Sequence, residues 1–139
     1  MHLTIHDDPD AAEWKAVDDG LGAYNDRFAP PSDFQRLAIF LRDEDGKLMG
    51  GLLGETYWGW LYVETLWVAE GARGQGWGTK LLAAGEAEAL KRGCRAVHLD
   101  TMSFQALPFY QKHGYTVWGT LENFIGDHNR YFLRKQLNA

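Results

Sequence analysis

The chain has 139 residues, of which 45% are hydrophobic and 24% charged, and these proportions are ordinary for a globular protein. This length predicts a single domain over residues 1–139, with enough apolar material for a core. Lys and Arg number 14 against 19 Asp and Glu, a net charge of −5. A general nucleic-acid binder normally presents a basic face, so this balance argues against a nucleic-acid partner.

Cysteine content and the first residues narrow the class further. Cys94 is the single cysteine, so no disulfide framework forms, and no Cys/His spacing typical of a metal site occurs. The opening "MHLTIHDDPD" lacks the basic and apolar regions of a signal peptide, and no run of 18 apolar residues suits a membrane span. We therefore expect a cytoplasmic protein with no metal and no membrane partner.

The N-terminal segment predicts a strand followed by a helix. Alternation in residues 2–6 suits a short strand. Apolar residues at helical spacing predict a helix over residues 10–27, because they would share one side of it. The segment "APPS" at 29–32 ends this helix, since proline cannot continue it.

Three strands joined by tight turns come next. The segments "QRLAIFLRD" (35–43), "KLMGGLLGET" (47–56) and "WLYVETLWVA" (60–69) are rich in strand-forming residues and are separated by short turn signals. The third segment is almost wholly apolar, which is typical of a strand covered on both faces. Glu64 is its only charge.

The C-terminal half predicts alternating helices and strands. The spacing predicts a helix over 78–93 with one apolar side made of Gly78, Leu81, Leu82, Gly85 and Ala89. A strand over 95–101 and a short helix over 106–114 follow, with Pro108 in the first turn of that helix. Strands over 115–121 and 130–137 follow, joined by a polar loop.

The order of elements predicts the fold class. It is β-α-β-β-β-α-β-α-β-β, in which short turns allow antiparallel neighbours. The unit from 60 to 101 needs a right-handed crossover and therefore a parallel pair. We expect an α/β (α+β) fold with a mixed, mostly antiparallel central sheet.

A glycine-rich loop joins the third strand to the second helix. The stretch "VAEGARGQGWGT" (68–79) places Gly74, Gly76 and Gly78 on alternate positions at a helix start. Backbone amides at such an end have no intrahelical acceptor and lie at the positive end of the helix dipole, so the loop suits a phosphate. It does not match the P-loop, because Thr79 precedes Lys80, nor the G-x-G-x-x-G dinucleotide pattern.

The segment Arg73-Gly74-Gln75-Gly76-Trp77-Gly78 has the form [RQ]-x-x-G-x-[GA]. It resembles the signature of the GCN5-related N-acetyltransferase (GNAT) family. The segment "SFQALPFYQKHGY" (103–115) is similar to the second signature of that family. The resemblance extends over almost the whole chain. It implies a GNAT-like fold with helices on both faces of the sheet, and acetyl-coenzyme A as the acetyl donor.

The resemblance also implies roles for individual residues in binding the coenzyme. Backbone amides of the loop would hold the pyrophosphate, with Arg73 beside the phosphates. The backbone N–H of Val68 would face the acetyl carbonyl, and Ser103 would contact the pantetheine or serve as a local cap. The implied coenzyme-binding set is Val68, Arg73, Gly74, Gln75, Gly76, Gly78, Thr79 and Ser103.

Two residues are the catalytic candidates. Tyr110 matches the family tyrosine that protonates the leaving thiolate, and its alternative is a packing role in a short helix. Glu64 is the candidate general base, because it is a lone charge in an apolar strand and burial between hydrophobic neighbours would raise its pKa. Its alternative is a salt-bridged or edge-exposed glutamate. Asp100, at the end of the next strand, is the reserve candidate for the base.

The acceptor is the open question. We expect an N-acetyltransferase acting on a primary amine of a small molecule by direct attack on the thioester. The alternatives are a protein or peptide amine acetyltransferase and a non-catalytic acyl-coenzyme A-binding module. A homodimer is compatible with the sequence. We expect His98 to be packed and most of the tryptophans at 58, 60, 67 and 77 to be in the core, with Trp58 able to line an acceptor pocket.

Overall fold

The computed structural model describes residues 1–138. Its contacts divide the chain into two compact units, Met1–Ser32 and the chain from Asp33 onward. The single domain expected over residues 1–139 stays a prediction.

The first unit holds one helix, α1 (Ala11–Asn25). Asp10 caps its N-terminus, where the side chain accepts a hydrogen bond of 2.7 Å from the amide of Ala12. The strand predicted for residues 2–6 is wrong, because these residues are exposed and form no strand. Alternation shows only that one side of a segment is apolar, and a strand also requires a hydrogen-bonded neighbour, which the described residues do not provide.

The second unit is a six-stranded sheet with two helices. The strands are β1 (Gln35–Arg42), β2 (Leu48–Tyr57), β3 (Trp60–Val68), β4 (Ala96–Met102), β5 (Thr116–Ile125) and β6 (His128–Gln136). The helices are α2 (Trp77–Lys91), α3 (Leu107–Lys112) and a 3-10 turn (Glu70–Ala72). The spatial order is β1-β2-β3-β4-β6-β5, with β3 and β4 parallel and all other pairs antiparallel. The predicted mixed, mostly antiparallel sheet is confirmed.

The connection between β5 and β6 differs from the predicted polar loop. The two strands extend to Ile125 and from His128, which leaves a two-residue turn at Gly126 and Asp127. Gly126 has a φ of +56°, which glycine adopts readily. The polar residues of this stretch belong to a hairpin. Their side chains are mostly exposed, so the polarity reflects exposure to solvent and does not indicate a loop.

The core lies on one face of the sheet. Leu61, Leu99 and Leu133 point to this face and pack with Leu82 of α2 and Tyr110 of α3. The face of α2 predicted to be buried is confirmed, because its buried residues are Leu81, Leu82, Gly85 and Ala89. Both helices of this unit contribute to the same core cluster, so helices on both faces are not seen within it.

The ladder between β3 and β4 ends before either strand does. Four pairs connect the two strands, from Trp60–Ala96 to Val63–Leu99. At that level β3 also bulges: Gly54 pairs with Val63 and Leu53 with Thr65, so Glu64 is an extra residue relative to β2. Beyond this point β3 and β4 continue without pairing, and the gap between them is where the cavity described below begins.

Candidate active site

A cavity of about 830 Å³ lies between the unpaired ends of β3 and β4. Its walls come from four segments: the end of β3, the glycine loop with the start of α2, the end of β4, and the segment leading into α3. The lining residues with sequence-predicted roles are Glu64, Val68, Arg73, Gly74, Gly76, Gly78, Thr79, Asp100 and Tyr110. The fold thus brings most of the predicted site into one cavity.

The glycine loop presents bare backbone to this cavity. Gly74 and Gly76 have φ values of +76° and +83°, and Gly76 is the N-cap of α2. An L-residue is strained in this conformation, which explains glycine at both positions. The first intrahelical bond runs from the amide of Lys80 to the Gly76 carbonyl, and no side chain caps this helix end. The amides of the first turn are therefore available to an anion.

Backbone groups of β3 also face the cavity. The amide of Ala69 donates to the Met49 carbonyl in β2 at 2.7 Å. Neighbouring residues in a strand direct their N–H groups to opposite sides, so those of Val68 and Leu66 point away from β2 and toward the gap. The Val68 carbonyl accepts a hydrogen bond of 2.9 Å from Nε of Arg73. Arg73 therefore ties the end of β3 to the glycine loop and is also at the cavity wall.

Tyr110 is almost fully buried, with 7% of its surface exposed. Its ring packs edge-on against Phe109 and Tyr115, at centroid distances of 5.2 and 5.9 Å. Burial, followed by the charge of Asp100, raises the pKa of Tyr110 to about 12. The hydroxyl therefore stays protonated at neutral pH, which is the state required of a proton donor.

Glu64 is exposed, which agrees with the alternative of an exposed glutamate and not with burial between hydrophobic neighbours. Strand alternation places the side chain of Glu64 on the side opposite Leu61 and Val63, which are buried, and at the bulge Glu64 has no partner in β2. Glu64 lines the large cavity and also a second cavity of about 400 Å³ bounded by β1 and β2. Its carboxylate thus lies where two openings meet.

Asp100 is already engaged by two partners. Its Oδ1 accepts a hydrogen bond of 3.1 Å from Nε of Arg130, and its Oδ2 accepts one of 3.3 Å from the hydroxyl of Tyr62. Both Asp100 and Arg130 are largely removed from solvent, so the pair is a fixed part of the cavity wall. Both carboxylate oxygens of Asp100 are therefore already used in hydrogen bonds within the protein.

Two predicted coenzyme-binding residues are not among those that line the cavity. Ser103 bonds to the β5–β6 hairpin, through His128 Nδ1 at 3.2 Å and the amide of Asn129 at 3.1 Å. Gln75 reaches back to the Gly71 carbonyl at 3.5 Å. Thr79 lines the cavity, and its hydroxyl lies 3.0 Å from Nε2 of His113 in a contact that joins the start of α2 to the end of α3.

The tryptophans are less buried than predicted. Most were expected in the core, but Trp58 and Trp67 are 42% and 47% exposed, and Trp60 and Trp77 are half-buried. His98 is packed as expected, with Tyr62 stacked on it at 4.9 Å. Tyr62 and Arg130, the partners of Asp100, were not singled out. The alternation of β3 could have indicated Tyr62, which lies in the strand next to that of Asp100. It could not have indicated Arg130, which is 30 residues from Asp100 in the sequence.

Within residues 1–138, no group of three or more His, Cys, Asp or Glu side chains is arranged to hold a metal ion. In the same part of the chain, no helix is long and apolar enough to cross a membrane.

Comparison with known proteins identifies the family. The sequence profile of the Acetyltransferase (GNAT) family matches residues 5–115. The chain belongs to the GNAT family. The predicted resemblance is confirmed, and the protein is a GNAT-type acetyltransferase.

Relatives support this assignment along the whole chain. "Acetyltransferase Atu2258" of Agrobacterium fabrum strain C58 is 46% identical over 98% of this chain and 99% of its own length. Blasticidin-S acetyltransferase of Streptomyces morookaense is 40% identical over 72% of this chain and 74% of its own length. The crystal structure of an acetyltransferase from Bacillus cereus ATCC 14579 superposes with a TM-score of 0.89 at 31% identity, covering 99% of this chain and 100% of that one. A structure from Agrobacterium tumefaciens gives a TM-score of 0.91 at 42% identity, with 99% and 100% coverage.

Proposed function

We propose that this GNAT acetyltransferase transfers the acetyl group of acetyl-coenzyme A to a primary amine of a small molecule in the cytoplasm. The observation that carries the proposal is the cavity between β3 and β4. One wall offers uncapped helix amides and Arg73, and the other offers Tyr110 and the end of β3. A donor with a phosphate at one end and a thioester at the other fits this arrangement.

The phosphate end of acetyl-coenzyme A would lie at the glycine loop. The amides that follow Gly74 and Gly76 would bind the pyrophosphate, since they lack intrahelical acceptors. The guanidinium of Arg73 would add a positive charge, although its Nε is already bonded to the Val68 carbonyl. Ser103 and Gln75 have lesser roles here, because their side chains are bonded elsewhere.

The thioester end would lie along β3. The N–H of Val68 would donate to the acetyl oxygen and stabilise the charge that develops there when the amine nitrogen attacks the carbonyl carbon. The carbon–sulfur bond then breaks, and Tyr110 donates its hydroxyl proton to the departing sulfur. The pKa of Tyr110, raised to about 12 by burial, keeps that proton available at neutral pH.

The acceptor amine must lose a proton before or during its attack. Glu64 is the proposed base, acting directly or through water, because it lines both the large cavity and the opening beside β1 and β2. Asp100 is the reserve candidate, but its two oxygens already accept hydrogen bonds. The blasticidin-S acetyltransferase among the relatives supports a small-molecule acceptor.

The proposal is tested by following free thiol release from acetyl-coenzyme A with a panel of small amines, lysine peptides and peptide N-termini. We expect release with a subset of the small amines. Release with peptides alone would contradict the small-molecule acceptor and favour a protein acetyltransferase. Coenzyme binding without release in any reaction would contradict catalysis and favour an acyl-coenzyme A-binding module.

A further inference from the structure

A separate cavity opens on the sheet face opposite the core. Its volume is about 350 Å³, and its lining residues are Tyr57, Trp60, His98, Trp118 and Arg134. They come from β2, β3, β4, β5 and β6, so the sheet itself forms the floor. We refer to it as the aromatic cavity. None of the residues proposed for coenzyme binding lines it.

Aromatic rings surround the imidazole of His98 in this cavity. Tyr57 and Trp60 meet the imidazole edge-on, at centroid distances of 6.1 and 5.7 Å. The hydroxyl of Tyr57 lies 3.0 Å from Nε2 of His98, which fixes the imidazole in the floor. Burial lowers the pKa of His98, although Asp100 and Glu55 oppose the shift, so the floor is neutral near pH 7.

The charges at the rim discriminate between possible occupants. Aromatic walls attract both flat rings and organic cations. Arg134 lines this cavity, and the guanidinium of Arg95 already lies 5.7 Å from the ring centre of Trp60. Among the described residues, Arg134 forms no salt bridge that would neutralise it. A cationic head group is therefore disfavoured, and a neutral flat ring is favoured.

Tyr62 lies between the aromatic cavity and the catalytic cavity. Its ring stacks on His98 at 4.9 Å with an interplanar angle of 20°, and its hydroxyl bonds to Asp100, which lines the catalytic cavity. His98 and Asp100 are two positions apart on one strand and share a face, a spacing of about 6.6 Å. A short flexible chain would span this distance.

We propose that the aromatic cavity binds a neutral aromatic or heteroaromatic ring of the acceptor, whose amine reaches the catalytic cavity through a short chain. The inference rests on the proposed function for the fate of the amine, but not for the binding of the ring. The acceptor class is then a compound in which a chain of a few bonds joins a flat ring to a primary amine.

Matched probes test the ring. We would measure Kd by calorimetry, without coenzyme, for phenylalkylamines and cyclohexylalkylamines with chains of two to five methylenes. Each pair has the same charge and chain length and differs in the flat ring. We expect the phenyl member to bind ~5-fold more tightly at the best chain length, the magnitude typical of an aromatic contact.

Substitutions on β5 assign the preference to this cavity. Trp118 is 58% exposed, so Trp118→Ala should fold normally, and we expect it to reduce the phenyl preference below twofold. Trp118→Phe should restore most of it. Phe124→Ala is the matched control, because Phe124 is an exposed aromatic of the same strand that does not line the cavity.

Two results would overturn the inference: equal Kd values for the phenyl and cyclohexyl members in the wild-type protein, or a preference that survives Trp118→Ala. Thiol release from acetyl-coenzyme A is scored separately on the same amines. A ring preference without release from any of these amines would leave the ring site standing and would contradict the assignment of its ligand as the acetyl acceptor. Release without a ring preference would do the reverse.

Discussion

Gly54 in β2 lies so close to the carbonyl oxygen of Tyr62 in β3 that a Cβ atom at Gly54 would collide with it. Tyr62 lies two positions before the bulge at Glu64 and one position before Val63, the last residue of β3 in the parallel ladder with β4. Glu64, the extra residue of the bulge, lines two cavities, and beyond it β3 and β4 are unpaired. Gly54 therefore permits a close contact between β2 and β3 at the edge of the catalytic cavity.

Replacing this glycine should lower the stability of the protein. We expect Gly54→Ala to lower the free energy of unfolding by about 1–3 kcal/mol, because the backbone oxygen of Tyr62 cannot move away without breaking strand pairing. Urea denaturation measures the change. Gly71→Ala is the control, since a Cβ there meets open space, and it should change stability little. Equal changes in the free energy of unfolding for Gly54→Ala and Gly71→Ala would contradict the steric role of Gly54.

Arg73 should have a structural role in addition to the positive charge that it contributes to phosphate binding. Its Nε bonds to the Val68 carbonyl, and lysine cannot reproduce both this bond and the guanidinium. We therefore expect Arg73→Lys to raise the KM for acetyl-coenzyme A by ~10-fold or more, close to the effect of Arg73→Ala, as for a hydrogen bond from a charged donor. Steady-state kinetics at saturating amine would measure it. If Arg73→Lys behaved like the wild type, charge alone would explain the arginine.

The two buried tyrosines predict loss of stability at alkaline pH. Burial raises the pKa of Tyr110 to about 12, and burial with the Glu86 carboxylate raises the pKa of Tyr115 further. A raised pKa in the folded state means that stabilisation is complete below pH 10, the unfolded value, and is lost as the pH rises through 12. Tyr110→Phe should thus lose about 2 kcal/mol less stability than the wild type between pH 9 and pH 12.

Denaturation curves at each pH measure this difference. Tyr24→Phe is the control, because Tyr24 is exposed and should leave the alkaline decrease unchanged. The same Tyr110→Phe protein should have a kcat lowered by roughly 10²-fold or more if its hydroxyl protonates the leaving sulfur. A normal kcat together with a reduced alkaline loss would show that Tyr110 has only a packing role.

Local sequence patterns predicted the features that depend on residues close together in the chain. The glycine loop was found because positive φ and uncapped amides need glycine, and the buried side of α2 followed from helical spacing. The strand at residues 2–6 was wrong because pairing, not alternation, makes a strand. Burial of Glu64 did not follow from its apolar neighbours, because alternation places its side chain opposite Leu61 and Val63, which are buried.

Contacts between distant segments were the hardest to predict. Asp100 is flanked by Tyr62 and Arg130, which come from 38 residues before it and 30 residues after it. Their meeting depends on the register of β3 with β4 and of β4 with β6. The aromatic cavity has the same origin, because its residues come from five strands whose order is not the order of the chain.

The choice between Glu64 and Asp100 as base can be decided by paired substitutions. Glu64 is exposed at the bulge and forms no salt bridge among the described residues, whereas Asp100 is bonded to Arg130 and Tyr62. Glu64→Gln should therefore lower kcat/KM by ~10²-fold, in the range of a lost general base, and leave the melting temperature nearly unchanged.

Asp100→Asn should have the opposite pattern. It leaves Arg130 with an uncompensated charge in a partly buried position, so we expect a clear fall in melting temperature. Arg130→Gln, which removes the other member of the pair, should lower it similarly. The pH–rate profile separates the roles: the acidic fall in kcat/KM should disappear in Glu64→Gln and persist in Asp100→Asn. The reverse result would make Asp100 the base and Glu64 a residue of the acceptor opening.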